Sequence, residues 1–287
     1  MTSSFEMRLA ERYGDLSSAL RAAADYLVSH PVDLATRSLR SVSQDSGVSP
    51  AAYSRLARAL GYGDLADLRD EMRLQIDQRV TGFAQRAERL HSDPQHRATG
   101  FFDAHLAACQ RNLAAFSETI DRSALETATE RLGDARRVLL LGALGSTGVV
   151  EYLSYMANFC TENWTLAGRM GASMGSAMAD LGPRDALLIV TKPPFSGQAL
   201  RAAELARAQG VYVVLITDSL GCPALKHASA HFVVPTDSPH FYSSYVVTVF
   251  LVESLIGMLI SRSGPEARNR IARVEDANRV LAEVWDL

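Results

Sequence analysis

The chain has 287 residues, 47% hydrophobic and 21% charged, an ordinary composition for a globular protein large enough for two domains. Its formal net charge of −3 at pH 7 excludes a protein that binds polyanions through bulk charge alone. Three cysteines without CxxC spacing (Cys109, Cys160 and Cys222) and N-terminal residues that lack a signal-peptide core predict reduced thiols in the cytoplasm. The apolar run 245–260 is interrupted by Glu253 and predicts a buried helix, so we expect no membrane span.

The first eighty residues predict helices. Apolar residues recur at helical spacing over residues 5–30, and this helix is expected to end at His30-Pro31 because a proline disfavours α geometry in the residue before it. A second stripe predicts a helix over residues 62–80. Residues 34–62 carry four arginines and one acid, whereas residues 1–80 carry ten arginines and eleven acids. Any attraction for a polyanion is therefore expected to be local.

Residues 38–69 carry the pattern of two short helices separated by Ser46-Gly47-Val48. Ser49 is a typical N-cap for the second helix, and Pro50 is tolerated at its first position because that backbone N–H has no intrahelical partner. The apolar side chains expected on the inward faces are Val42, Val48, Tyr53, Leu56 and Leu60. A helix pair with a glycine turn and arginines on its second helix is typical of a helix-turn-helix, whose second helix enters the DNA major groove.

This pattern predicts the DNA contacts. The side chains expected to approach bases or phosphates from the second helix are Ser49, Ser54, Arg55 and Arg58. Arg37 and Arg40 are expected to contact flanking phosphates, since backbone contacts position a protein on DNA while base contacts specify the sequence.

Residues 91–100 are polar and contain proline and glycine, as expected for a linker. We therefore predict a helix-turn-helix domain over residues 1–80, a linker over 81–100 and a second domain over 101–287. The second domain is expected to open with a helix over residues 101–131.

From residue 137 the pattern changes to apolar strands that alternate with helices. The strands are expected at residues 138–141, 186–191, 211–217 and 231–235. The helices between and after them are expected to end near residue 159, to span 198–209 and to span 241–261. Continuous apolar strands with intervening helices predict a three-layer, doubly wound parallel sheet, whose ligands bind at the carboxyl ends of the strands.

Two loops at these strand ends are the candidate ligand-binding elements. The first supplies glycines for close backbone approach and hydroxyls for a phosphate, at Gly142, Gly145, Ser146 and Thr147. The second supplies hydroxyl, ammonium and amide donors for an oxyanion, at Thr191, Lys192, Ser196, Gly197 and Gln198. The third loop, residues 217–223, is expected to be a structural turn. Neither a dinucleotide fingerprint nor a P-loop is present, so no cofactor is expected.

The sequence signals for catalytic and metal-binding residues are weaker than those for the two ligand-binding loops. Glu151 and Glu204 are the carboxylates that a sugar isomerase could use, but both are expected on solvated helix faces. Glu253 could be an acid–base group or a partnered structural carboxylate. His227 and His231 are four residues apart but lack a third ligand, so no metal is expected. We predict no catalytic residues.

The chain resembles the RpiR/MurR-type bacterial transcription regulators, which join a helix-turn-helix domain to a sugar isomerase (SIS) domain. The resemblance rests first on Gly47-Val48-Ser49, Arg55-Leu56 and Leu60-Gly61-Tyr62 in the helix-turn-helix. Gly142, Gly145 and Ser146 match the first phosphosugar loop, and residues 194–199 resemble a proline-aromatic version of the second. Ala199 stands where that version has threonine, and Ala52 and Tyr53 stand where the recognition helix has threonine and valine.

The resemblance implies a regulator of carbohydrate metabolism that is not an enzyme. Its double-stranded DNA operator would be released or bound in response to a phosphosugar or sugar-acid effector, with Ser243 or Ser244 closing the effector site. A homodimer is expected, with a tetramer as the alternative, and the predicted helices 101–120 and 241–261 are the candidate surfaces. Two other functions stay open, a sugar-phosphate isomerase or lyase with a helical appendage, and a sensor that no longer binds DNA.

Overall fold

The structure, a computed structural model, describes residues 5–30, 33–80, 82–92, 99–169 and 171–285, without the side chains of residues 6, 7, 10, 11, 73–80 and 99. It divides into two compact units. The first comprises Met1–Thr119 together with Ser219–Gly221 and Pro235–Ser244. The second comprises Ile120–Asp218, Cys222–Val234 and Tyr245–Leu287.

The first unit is helical. Its helices are α1 (Phe5–Arg12), α2 (Ser18–Ser29), α3 (Asp33–Thr36), α4 (Leu39–Ser46), α5 (Pro50–Ala59), α6 (Leu65–Val80), α7 (Phe83–Ser92) and α8 (Thr99–Thr119). The single helix predicted over residues 5–30 is wrong, because Tyr13–Asp15 form a 3₁₀ turn between α1 and α2. The Arg21 guanidinium donates to the carbonyls of Tyr13 and Gly14 at 3.2 and 2.6 Å and so satisfies the end of the turn. Pro31, the predicted stop, lies outside the described residues.

The predicted short helices of residues 38–69 are confirmed as α4 and α5. Gly47 ends α4 with a φ of 68°, a left-handed conformation that glycine adopts without penalty. The Ser49 hydroxyl accepts a hydrogen bond from the Ala52 N–H at 3.3 Å and caps α5, which begins at Pro50. The side chains of Val42, Tyr53, Leu56 and Leu60 are buried in the core of the unit, and that of Val48 is partly buried, as predicted.

The middle of the chain has a helix inside the predicted linker and a break inside a predicted helix. The helix α7 occupies residues 83–92 of the stretch 81–100 that we assign to a linker, and the first two residues of α8 also fall inside it. The helix predicted over residues 101–131 is two helices, α8 and α9 (Arg122–Gly133). It breaks at Asp121, whose carboxylate accepts from the Ala124 N–H at 2.9 Å and so starts a new helix. The predicted domain boundaries stay a prediction.

The second unit contains the predicted parallel sheet. Its strands are β1 (Val138–Gly142), β2 (Trp164–Leu166), β3 (Ala186–Val190), β4 (Tyr212–Thr217) and β5 (Ala230–Val233), in the order β2-β1-β3-β4-β5, and all neighbours are parallel. The sequence prediction missed β2, which has three residues at the edge of the sheet. All five residues of β3 are buried, as a sheet covered on both faces requires.

Five helices complete this unit after α9: α10 (Thr147–Cys160), α11 (Met174–Met178), α12 (Gly197–Ala208), α13 (Val246–Arg262) and α14 (Pro265–Val280). The apolar helix predicted from residue 241 begins only at Val246. No single helix among the described residues is long and apolar enough to cross a membrane, and α13 and α14 pass that test only as a pair bent by 117°.

Gly142 lets the first loop turn tightly from β1 into α10. A Cβ atom at this position would lie 2.6 Å from Val150 Cγ2 and even closer to the carbonyl oxygen of Ser146. Because the nearest atom belongs to the backbone, the clash could be relieved only by moving the loop or the helix. A glycine at this position therefore fixes the position of Ser146 at the end of β1.

We predict that Gly142→Ala lowers the free energy of unfolding by about 1–3 kcal/mol, as overpacking does in other cores. Gly148→Ala is the matched control, since Gly148 lies in α10 and a Cβ there would meet nothing within 4 Å. The control is expected to be neutral or stabilising, because alanine favours helix over glycine. Urea unfolding followed by circular dichroism measures both, and equal stabilities of the two variants would contradict the prediction.

Candidate functional site

The outer face of α5 carries the predicted DNA contacts. Arg55, Arg58 and Ser49 are exposed, and Ser54 is half-buried, with its hydroxyl 3.4 Å from the carbonyl of Pro50. The face opposite is the buried one, so the two arginines project away from the core of the unit. This arrangement leaves both guanidinium groups accessible to a phosphate or a base edge.

Arg37 is placed differently from Arg40. Its guanidinium donates to the Asp33 carboxylate at 2.9 Å, to the Ser41 hydroxyl at 2.6 Å and to the Asp45 carboxylate. The hydrogen bond from Tyr26 and the charge of Arg37 lower the pKa of Asp33, so the carboxylate stays ionised beside the arginine. A phosphate would have to compete with two carboxylates for Arg37, whereas Arg40 is exposed.

In the second unit, the register of the sheet brings the predicted loops to one edge. Gly142 pairs with Val190, and Val190 pairs with Ile216, so the residues that follow β1, β3 and β4 leave the sheet side by side. Ser146 and Thr191 are buried within these loops. The edge therefore combines hydroxyl groups from two loops, as expected for a site that binds an oxyanion.

The remaining predicted loop residues lie at the starts of helices. The Ser196 hydroxyl accepts from the Ala199 N–H at 3.4 Å and caps α12, so that the exposed Gly197 and Gln198 lie in its first turn. Gly145 is exposed, and Thr147 is half-buried, with its hydroxyl 3.4 Å from the carbonyl of Gly142. Two helix N-termini, of α10 and α12, thus follow the two loops.

Lys192 is the main charged group of the edge that is buried, with 6% of its surface exposed. Its Nζ donates to Thr248 Oγ1 at 2.7 Å and lies 3.8 Å from the centre of the Tyr245 ring. Burial lowers the pKa of Lys192 to about 8, and the charge of Asp218 opposes that shift. The ammonium group is therefore still largely charged at neutral pH.

Tyr245 links the two loops. Its hydroxyl and Ser146 Oγ are 3.0 Å apart, while its ring lies under Lys192. Sequence reasoning missed Tyr245 and Thr248, because it started α13 too early and treated both as helix interior. It also missed Asp218, which it assigned to a structural turn. Two signals could have identified them. Tyr245 and Thr248 are polar residues at the start of an otherwise apolar helix, and Asp218 is an acid directly after β4.

Ser243 lies in Pro235–Ser244, a segment of the first unit, and is half-buried. Ser244 is buried, and its N–H donates to the carbonyl of Thr236 at 3.0 Å. The expected closure of the effector site by either serine stays a prediction.

The other carboxylates are on the surface. Glu151 pairs with Arg169 at 3.3 Å, and Glu204 is exposed. Glu253 accepts from the Tyr152 hydroxyl at 2.8 Å and thereby raises the pKa of that tyrosine, so it is a partnered carboxylate. Over the described ranges, no group of three or more His, Cys, Asp or Glu side chains is placed to hold a metal ion.

We predict that the stability difference between Lys192→Met and the parent protein depends on pH. The folded protein releases the Lys192 proton near pH 8 and the unfolded chain only near 10.5, so between these values the unfolded state binds more protons. The parent protein should therefore gain about 2 kcal/mol relative to Lys192→Met between pH 7.0 and 9.5, as measured by urea unfolding. The exposed Lys226 supplies the control, since Lys226→Met should show no such change. Parallel pH profiles for both variants would contradict the burial of the charge.

Comparison with known proteins finds a domain match and similar solved structures. Residues 131–258 match the SIS domain. The sugar isomerase domain of an RpiR transcription factor from Sphaerobacter thermophilus superposes with a TM-score of 0.56 at 22% identity, covering 60% of this chain and 96% of that one. The NanR protein of Vibrio vulnificus, solved in complex with ManNAc-6P, superposes with a TM-score of 0.57 at 19% identity, covering 96% of this chain and 98% of that one.

Curated relatives match at a similar level of identity. The protein named "Bifunctional protein glk" of Burkholderia mallei is 24% identical over 267 residues, or 91% of this chain, and its counterpart in Paraburkholderia xenovorans is equally similar. This chain spans 40% of the length of these relatives. The domain match and the two superpositions agree on the architecture, which is a helical region followed by a SIS domain over residues 131–258.

Proposed function

We propose that this chain is a transcriptional regulator of carbohydrate metabolism whose binding to DNA responds to a phosphorylated sugar or a related sugar acid. The observation that carries the proposal is the presence, in one chain, of an exposed arginine-bearing α5 and a SIS domain with hydroxyls and a buried ammonium at its ligand edge. The names of the two similar structures, an RpiR transcription factor and a NanR protein bound to ManNAc-6P, support the same combination.

The DNA-binding part of the proposal rests on charge and exposure. α5 is inserted in the major groove, with Arg55 and Arg58 on base edges or phosphates and Arg40 on a flanking phosphate. Ser49, the N-cap of α5, and Ser54, in its second turn, contribute further contacts. Arg37 joins the phosphate contacts only where DNA displaces it from Asp33 and Asp45.

The effector part rests on the edge of the sheet. The phosphate is bound by the first loop, through Ser146, Thr147 and the backbone near Gly145, at the N-terminus of α10. The second loop, from Thr191 to Gln198, takes the other end of the molecule. Lys192 supplies the positive charge, which favours an anion and accounts for a lysine being retained in a buried position.

We further propose a homodimer, because two half-sites on DNA require two recognition helices about 34 Å apart. An exposed apolar stripe runs along α13 at Val246, Phe250 and Ile260. Tyr152 and Tyr155 of α10 are exposed as well, and Tyr152 is bonded to Glu253 of α13, so the two helices share one surface. On α8, Phe102 and Leu106 are also exposed, which leaves room for a second interface and hence a tetramer.

A sugar-phosphate isomerase or lyase is the second candidate function. It is favoured by one observation, that Lys192 has a pKa of about 8 and faces the charge of Asp218, a combination suited to moving a proton near neutral pH. Conversion of a sugar phosphate by the protein, lost in Lys192→Met, would support this candidate over the regulator.

We expect Arg55→Ala combined with Arg58→Ala to weaken specific DNA binding by at least about 30-fold, since each base or phosphate contact contributes on the order of 1–3 kcal/mol. The slope of log K against log salt should fall by about one for each arginine that contacts a phosphate. Fluorescence anisotropy with a duplex selected from a random library by the full-length protein measures both quantities. Arg268→Ala, at an exposed arginine of α14, is the control. Unchanged binding by the double variant would exclude α5 as the recognition helix.

We also expect a sugar phosphate to bind at the edge and to change DNA affinity. Calorimetry identifies the chemical class of the effector, with four ligands tested: glucose 6-phosphate, fructose 6-phosphate, N-acetylmannosamine 6-phosphate and 6-phosphogluconate. Binding should weaken about tenfold between pH 7 and pH 9, because Lys192 loses its charge near pH 8. Lys192→Arg should remove this pH dependence, since arginine stays charged, and Lys226→Met should leave it intact. Binding that is independent of pH in the parent protein would exclude Lys192 from the effector contacts.

A further inference from the structure

The segment Pro235–Ser244, here called the strap, belongs to a different unit from the elements on either side of it. The chain leaves the second unit after Val234, one residue beyond the end of β5, and returns to it at Tyr245, just before α13. The ten residues between pack with the helices of the first unit. The strap is therefore a further covalent route between the units, besides the connection after Thr119 and the short segment Ser219–Gly221.

Hydrogen bonds hold the strap on α8. Asn112 is 2% exposed, and its Nδ2 donates to the carbonyl of Asp237 at 2.8 Å. His105 Nδ1 lies 3.3 Å from Ser238 Oγ, which also accepts from the His240 N–H at 3.1 Å. The Ser244 N–H donates to the carbonyl of Thr236, and this hydrogen bond joins the two ends of the strap. A buried amide that reaches a backbone carbonyl fixes the strap far better than solvent-exposed contacts do.

Aromatic rings add a second set of contacts. Phe83 of α7 packs against Phe241 and Tyr242, with ring centres 6.2 and 5.0 Å apart. Phe101 of α8 lies 6.0 Å from His240. The strap thus has apolar contacts to two helices of the first unit as well as polar contacts to one, and we expect it to move with them.

The residue that follows the strap lies in the candidate effector site. Tyr245 follows Ser244 in the chain. In the second unit, its hydroxyl is hydrogen-bonded to that of Ser146, and the Lys192 ammonium lies over its ring. A ligand that takes up the Ser146 hydroxyl or the Lys192 ammonium changes the contact of Tyr245 with that residue. Consecutive Cα atoms are 3.8 Å apart, so a displacement of Tyr245 cannot be absorbed within the Ser244–Tyr245 peptide.

We propose that Tyr245 and the strap are the positioning elements that couple effector binding to the helices of the first unit, with Asn112 and Ser238 as the anchoring residues. This inference rests on the proposed function. The ligand contacts Ser146 and Lys192 and thereby favours one position of the Tyr245 side chain. Because the strap is anchored on α8, that position of Tyr245 in turn favours one position of α8. The coupling is limited to the difference in ligand affinity between the two positions.

The experiment uses the full-length protein, the selected duplex and the sugar phosphate with the highest affinity among the four named above. DNA affinity is measured with and without the ligand, and ligand affinity is measured separately by calorimetry. In Ser238→Ala and in Asn112→Asp, which keeps the size but removes the amide donor, both basal affinities should stay within about twofold of the parent. The effect of the ligand on DNA affinity, typically about 5–150-fold where sites are coupled, should fall at least about fivefold.

Gln110→Ala is the matched control, since Gln110 lies on the exposed face of α8, and it should keep the full response. Tyr245→Phe keeps the ring over which Lys192 lies and removes the hydroxyl, so it should also reduce the response. A merely structural role for the anchors would lower thermal stability without separating ligand binding from the DNA response. If Asn112→Asp is unfolded, Ser238→Ala decides the outcome.

A responsive parent protein with equally responsive Ser238→Ala and Asn112→Asp variants would overturn the coupling and leave the proposed function standing. A parent protein that binds the duplex but ignores all four ligands would overturn the proposed function itself, and the coupling with it.

Discussion

In the sheet, Gly142, Val190 and Ile216 lie side by side because β1, β3 and β4 are parallel and paired in one register. Parallel strands cannot be joined by short turns, so each connection leaves at the carboxyl ends of the strands and crosses a face of the sheet back to their amino ends. β3 is consequently buried on both faces, and the loops that leave neighbouring strands lie together at the carboxyl edge. Ser146, Thr191 and Lys192 are at that edge for this reason.

The free-energy cost of burying the charged Lys192 has to be offset by the groups around it. Removing an ammonium from water favours its neutral form, which is why its pKa falls to about 8. The Thr248 hydroxyl, the face of the Tyr245 ring and the charge of Asp218 favour the charged form. The balance leaves an ammonium that is charged at pH 7 but only weakly stabilised. An anionic ligand would therefore gain from the positive charge of Lys192, whereas a neutral sugar would not.

Local signals in the sequence predicted well, and signals that depend on tertiary structure did not. Gly47, Ser49 and Pro50 act within one turn of chain, so the bounds of α4 and α5 could be predicted from residue types alone. The strands β1, β3 and β4 are continuous apolar runs, which need no partner to be recognised. In contrast, β2 has only three residues and is a strand because β1 lies beside it.

The candidate site shows the same division. The loop residues after β1 and β3 could be predicted, because their positions follow from strand ends. Tyr245 and Thr248 are separated from those loops by tens of residues, and the packing of α13 brings them to Lys192. Asp218 lies near Lys192 because it follows β4, which pairs with β3. Arg37 was predicted as a phosphate contact because the sequence cannot show that Asp33 and Asp45 fold back onto it.

The neutralisation of Arg37 bears on how such a protein could be regulated. With that guanidinium bonded to two carboxylates, the exposed charge around α5 is mainly that of Arg40, Arg55 and Arg58. Three contacts release few counterions, so a single helix-turn-helix would bind DNA weakly at physiological salt. High affinity would then require two copies on two half-sites, and its strength would depend steeply on their spacing. A ligand that changes the geometry of a dimer by a small amount could therefore change DNA affinity by a large factor, without touching α5.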